Sequence, residues 1–174
     1  MNPVLFGSVA SLFIFLWASG FIAAKYGLPF AEPFTLMAAR FLVGAVILVP
    51  ACFVLKASWP RSIRETRHIL MAGFGVQTVY LIGVYYGIWL GVSTGVTALV
   101  VGLQPLLTGV LAGFVLQEKV TPRNWSGLIL GFTGLGLVVW DRVLAPTDAL
   151  WGIIMLLMGL AGITAGTLYQ KKYC

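Results

Sequence analysis

Charge is what this sequence has least of. Asp, Glu, Lys and Arg together make up 9% of its 174 residues, against about 25% in soluble domains. So few charged side chains do not coat a water-facing surface, which excludes an ordinary soluble protein. A disordered chain needs low hydrophobicity with high net charge, and 60% of these residues are hydrophobic. Cysteine is scarce as well: Cys52 sits in an apolar run and Cys174 is the last residue, so a disulfide framework is excluded. The sequence has no HExxH, no CxxC and no GxxxxGK[ST] phosphate loop, and no carboxylates are paired inside an apolar run. The single histidine, His68, stands without a partner motif. No catalytic residue, metal site or cofactor is therefore expected. The net charge of +6 is spread over short gaps and builds no basic face with interleaved aromatics, so nucleic acid is not an expected partner.

What the sequence has in abundance is long apolar runs, and its mean hydropathy is +0.99. A helix that crosses a bilayer needs about 20 mostly apolar residues. The first run, Val4 to Ala24, stops at Lys25. Met1-Asn2-Pro3 carries no Lys or Arg side chain, and the run is long enough to span, so it reads as a helix and not as a signal peptide. A second span covers Pro33 to Leu55, with Arg40 inside it. Ile69 to Gln117 holds no charged residue and is too long for one span; turn formers over Trp89-Leu90-Gly91-Val92-Ser93-Thr94 divide it into two. A fifth span covers Asn124 to Trp140, and a sixth covers Ala149 to Gln170. The expected fold is an all-α polytopic membrane protein with six transmembrane helices and the lipid bilayer as its solvent.

The basic residues are distributed asymmetrically between the gaps. Lys56, Arg61, Arg64, Arg67, Lys119, Arg123, Lys171 and Lys172 fall on one side, against Lys25 and Arg142 on the other. The positive-inside rule puts the larger group, and with it the N-terminus, in the cytoplasm. Small residues recur four apart at Gly83/Gly87, Gly109/Gly113, Gly127/Gly131 and Gly162/Gly166. Close backbone approach drives much of helix packing in lipid, so these pairs predict a compact bundle without naming any one contact.

Part of the chain repeats. Ala18-Ser19-Gly20 with Lys25 matches Thr164-Ala165-Gly166 with Lys171, and Leu5-Phe6-Gly7 resembles Leu150-Trp151-Gly152 with one residue of slippage. Five spans separate the copies, so the sixth crosses in the opposite sense to the first, as in inverted-repeat transporters.

With Trp17-Ala18-Ser19-Gly20-Phe21 and Lys25, Ala39-Arg40-Phe41-Leu42, Pro105-Leu106-Leu107-Thr108, Glu118-Lys119-Val120-Thr121-Pro122-Arg123, Trp125, Gly127, Gly131 and Gly134, the chain resembles the drug/metabolite transporter superfamily, EamA type. It departs from the family at Gln117, where Gly is usual, and at its abrupt end. The resemblance implies two inverted five-helix repeats, ten helices in all, around a cavity that opens alternately to each side. Residues 1–145 correspond to the first repeat and residues 146–174 to the first helix of a truncated second. The expected function is secondary-active transport of a small metabolite or drug by alternating access, in a bacterial cell (inner) membrane. Proton coupling would need a carrier, yet the sequence shows no intramembrane Asp or Glu. Two alternatives are a truncated non-transporting membrane protein or assembly partner, and a half-size transporter acting as a homodimer; the extra sixth helix argues against the latter.

Several residues are candidates for lining a substrate cavity. Gln77 and Tyr80 share a face in span 3, and Thr97, Gln104 and Thr108 form a stripe in span 4. Trp17 is a further candidate. Polar groups at such depth need protein or water partners, and transporter sites lie near the midplane. The alternative role is interhelical hydrogen bonding, worth on average about 0.6 kcal/mol. Pro105 removes a donor from the carbonyl of Val101 and predicts a kink in span 4. Arg40, roughly 10 Å inside span 2, costs about 2.5–3.5 kcal/mol at a helix centre, less if it snorkels outward. An anionic substrate or Glu32 would be its partner. The resemblance, with Arg at this position across unlike substrates, favours a structural role. Glu118 is either a solvated interfacial charge or, by its place in the family motif, a conformational latch. Tyr85, Tyr86 and Trp89 suit an aromatic belt at the outer interface.

Overall fold

Hydrocarbon offers the backbone no hydrogen-bond partner, so each apolar run satisfies its own N–H and C=O groups as a helix. The computed structural model describes residues 3–117, 121–143 and 147–174. The helices are α1 (Pro3–Gly27), α2 (Pro33–Val54), α3 (Ile63–Gly73), a π-helical turn (Phe74–Val79), α4 (Tyr80–Trp89), α5 (Thr94–Gly102), α6 (Gln104–Val115), α7 (Pro122–Val143) and α8 (Thr147–Tyr173). Among the described residues, five continuous stretches are long and apolar enough to cross a membrane: Gly7–Gly27, Pro33–Val54, Ile63–Trp89, Thr94–Val115 and Leu150–Tyr173. The remaining span expected from the sequence lies on α7, whose 22 residues measure about 33 Å at 1.5 Å per residue. The expected boundary between the two repeat units, and Glu118 with its latch role, fall outside the described residues.

Local chemistry explains the boundaries. Pro33 occupies the first turn of α2, where its missing N–H costs nothing. Span 3 starts at Ile63, earlier than the expected Ile69, because Ser62 caps α3. Its hydroxyl accepts from the Glu65 N–H at 3.1 Å, and the Glu65 carboxylate accepts from the Arg61 N–H at 2.8 Å. This reciprocal arrangement resembles a capping box. The expected division after Trp89 is a tight turn. Gly91 has φ +93°, a left-handed conformation that suits Gly after a helix end, and the Val92 N–H returns to the Gly87 carbonyl at 3.1 Å. Ser93 then caps α5 by accepting from the Val96 N–H at 3.3 Å.

Span 4 is broken at Leu103, between α5 and α6, with Pro105 in the first turn of α6. The Leu103 N–H reaches back three residues to Val100 at 3.2 Å, tighter than an α-helical bond. The helix is interrupted where Pro105 predicts a kink. The carbonyl of Val101 is not left free, however, because the tightened cap donates a backbone N–H to it. No sequence signal marks the π-helical turn in span 3.

The centre of the packing is α8 against the π-helical turn and α4. A Cβ on Gly75 would lie 3.0 Å from the Gly166 Cα, one on Gly83 2.6 Å from the Gly159 Cα, and one on Gly87 3.1 Å from the Gly152 carbonyl oxygen. At Gly75 and Gly83 backbone therefore meets backbone directly, the small-residue mode of membrane packing, while at Gly87 the Leu156 side chain also enters the contact. Gly127 and Gly131 of α7 instead receive the side chains of Leu106 and Leu103. Helix α2 is peripheral: Leu42, Val46 and Leu48 are each more than 60% exposed. Such apolar exposure fits a helix whose solvent is lipid, not water.

Candidate functional site

Helices α1, α2 and α4, with the π-helical turn, border a half-open cavity of about 130 Å³ lined by Trp17, Gly20, Phe21, Arg40, Gln77, Tyr80 and Tyr85 among others. Four sequence candidates from three different spans thus meet at one place. The rings of Trp17 and Tyr80 stack with centroids 6.1 Å apart and planes 21° from parallel. Tyr80 is buried, while Trp17 remains 43% exposed. Gln77 lies near the middle of Ile63–Trp89 on the π-helical turn. The wider turn changes which side chains follow it along the helix face, a device often found at functional sites.

Arg40 does not snorkel towards the near helix end. Its Nη1 donates to the Tyr85 hydroxyl at 3.4 Å and lies 3.9 Å from where a Cβ on Gly20 would sit. Gly20 is seven residues from the end of α1, about 10 Å in depth, so the guanidinium points sideways into the cavity at Arg40's own level. No ion pair with Glu32 is formed among the described residues. Tyr85 corrects the aromatic-belt expectation: it is 4% exposed and holds Arg40. Trp89 is 53% exposed and Tyr86 packs edge-on against Phe34 and Trp89. The signal for Tyr85 was its four-residue spacing in the series Gln77, Leu81, Tyr85, which places all three on the cavity face.

The other candidates lie elsewhere. Gln104 donates through Nε2 to the Thr108 hydroxyl at 3.1 Å and to the Thr167 hydroxyl of α8 at 3.4 Å. This joins α6 to α8. Thr97 is fully buried, and its hydroxyl donates to the Ser93 carbonyl at 3.0 Å. Pro105 is exposed at the break in span 4. Gln77 also lines a second cavity, about 230 Å³, with Ile69, Ala72, Gly73, Val76, Gln170 and Cys174. This cavity lies towards the end of the bundle that carries Arg64, Arg67, Lys171 and Lys172. At the same end, His68 Nδ1 is 2.7 Å from the Tyr169 hydroxyl and its ring stacks on Tyr173. This pairing joins α3 to α8 across 101 positions of the chain, a distance over which helical spacing carries no signal. Among the described residues no cluster of His, Cys, Asp or Glu is suited to hold a metal ion.

Comparison with known proteins gives the family of the chain. Residues 4–140 match the EamA-like transporter family. An uncharacterized transporter of Archaeoglobus fulgidus is 25% identical over 166 residues, 94% of this chain and 56% of that protein. The uncharacterized transporter YvbV of Bacillus subtilis is 26% identical over 165 residues, 91% of this chain and 51% of that protein. Another from the same organism, YyaM, is 32% identical over 124 residues, 68% of this chain and 39% of that protein. The chain spans about half the length of the first two relatives. No solved structure matches it. The chain belongs to the EamA-like transporter family, within the drug/metabolite transporter superfamily.

Proposed function

We propose that this chain works in a secondary-active transporter of a small metabolite or drug, and not as an enzyme, by alternating access. In this reading residues 1–145 form one five-helix repeat and residues 146–174 open a second, inverted one; relatives about twice as long support that division. The membrane is a bacterial inner membrane with the N-terminus cytoplasmic, supported by the eight-to-two distribution of Lys and Arg.

The observation that carries the reading is Gln77. It lies at mid-span and lines both the 130 Å³ cavity and the 230 Å³ cavity nearer the Lys/Arg-rich end. A polar side chain between two cavities at that depth suits the boundary of a solute path. Trp17, Gln77 and Tyr80 are the substrate-facing residues in this proposal, while Gln104, Thr108 and Thr167 clasp α6 to α8. Pro105 and the break at Leu103 provide a bend where span 4 flexes, with Thr97 anchoring its outer half.

The test is uptake of a panel of labelled organic solutes into proteoliposomes holding the purified chain, with Gln77→Ala and Tyr80→Ala beside it. Saturable uptake that both variants lower at equal protein content is the expected result. Absence of saturable uptake across the panel, by the chain alone and by a full-length relative carrying it in place of its own first half, would overturn the proposal.

A further inference from the structure

The geometry points to Arg40 as the anion-recognition residue of the 130 Å³ cavity, whose ligand is a small organic monoanion with a carboxylate on a flat apolar body. The inference deepens the transport reading and rests on it for the cavity's purpose, but recognition is tested separately from movement. Arg40 carries a full positive charge about 10 Å inside a span, and its one hydrogen bond is a long one, 3.4 Å to a neutral phenol. A guanidinium presents five N–H donors in a planar fork. Glu32, the nearest carboxylate along the sequence, does not pair with it. An arginine held only for structure at this depth would be expected to turn towards the interface or to meet a carboxylate. Arg40 does neither: it lies over Gly20, where the missing side chain leaves its room, and faces the cavity.

The rest of the cavity defines the body attached to the anion. The stacked rings of Trp17 and Tyr80 form one wall, and Phe21, Leu81 and Val84 add apolar surface. A volume of about 130 Å³ is close to that of the roughly 150 Å³ engineered cavity that binds benzene. A single ring is therefore of a size to sit in it, with its carboxylate on the guanidinium, the planar bidentate pairing for which arginine is suited. Gln77, which makes no hydrogen bond within the described residues, is placed to receive a further polar group. A cationic ligand would be repelled by Arg40's charge.

The probe is benzoate, titrated against the purified chain in lipid nanodiscs and followed by calorimetry, with benzamide and benzylammonium of similar shape for comparison. Benzoate is expected to bind at least 10-fold more tightly than either. Arg40→Gln is expected to remove that preference, and Arg40→Lys to keep part of it. Tyr85→Phe keeps the charge of Arg40 but removes the hydrogen bond that holds the guanidinium, so it is the second variant should Arg40→Gln fail to fold. It is expected to reduce the preference for benzoate several-fold. Equal binding of the three probes, a preference for the amine, or benzoate binding unchanged in a folded Arg40→Gln chain would each overturn the inference. Benzoate bound through Arg40 but never moved into proteoliposomes would count against the transport reading and leave this one standing.

Discussion

Gly83 of α4 and Gly159 of α8 approach so closely that a Cβ on Gly83 would fall 2.6 Å from the Gly159 Cα. No flexible side chain there can move aside, so backbone must separate from backbone. Gly83→Ala is expected to destabilise the bundle by about 1–3 kcal/mol, the range for overpacked sites. Gly44→Ala in α2, where nothing lies within 4 Å, is expected to be neutral or to gain up to about 1 kcal/mol from helix propensity. Unfolding of the chain by SDS in mixed micelles compares the two. Equal stabilities would mean that α4 and α8 do not cross at these glycines.

Further along the same pair of spans, the Tyr169 hydroxyl and His68 Nδ1 are 2.7 Å apart. Tyr169→Phe removes the hydrogen bond while keeping the ring contact with Tyr173, and should cost about 0.5–1.5 kcal/mol. A double-mutant cycle with His68→Phe checks the pairing: the two changes together should cost less than their sum.

Trp17 forms one wall of the cavity, whereas Leu48 faces outward from α2. Trp17→Ala should lower saturable uptake several-fold at normal membrane levels, and Leu48→Ala should not. A Trp17→Ala chain that transports normally would show that the cavity is not the solute path.

The break at Leu103 depends on Pro105. Pro105→Ala restores a backbone donor and is expected to let α5 run into α6, in line with the roughly 3 kcal/mol that proline costs a helix interior. Slower amide hydrogen exchange around Leu103, by at least 10-fold, is the readout. Unchanged exchange would mean that packing, not proline, holds the bend.

Topology is tested by single cysteines in a chain with Cys52→Ala and Cys174→Ala. Ala57 follows α2 at the Lys/Arg-rich end and Phe30, 90% exposed, lies between α1 and α2. A membrane-impermeant maleimide added to intact cells should label Phe30→Cys and spare Ala57→Cys. The reverse pattern would invert the orientation.

The helices were legible from one dimension because each is dictated locally. Hydrocarbon requires about 20 apolar residues with every backbone group paired internally, and that requirement is written in consecutive residues such as Pro33 to Leu55. The turn at Gly91 and the bend at Pro105 were legible for the same reason: each follows from the backbone freedom or missing donor of a single residue. The cavity was legible only in part. Helical spacing put Gln77 and Tyr80 on one face, but spacing cannot say which neighbour that face meets.

The tertiary structure decided that Trp17 and Arg40 complete the cavity with them while Gln104 turns to Thr167. It also turned Tyr85 from a presumed interfacial residue into Arg40's buried partner. The glycine pairs show the same division. Gly83 and Gly44 are alike in sequence, each a glycine in an apolar run, yet one is pressed against another backbone and the other faces open space. Helix formation depends on a residue's neighbours in the chain, whereas burial, charge pairing and close approach depend on neighbours in space.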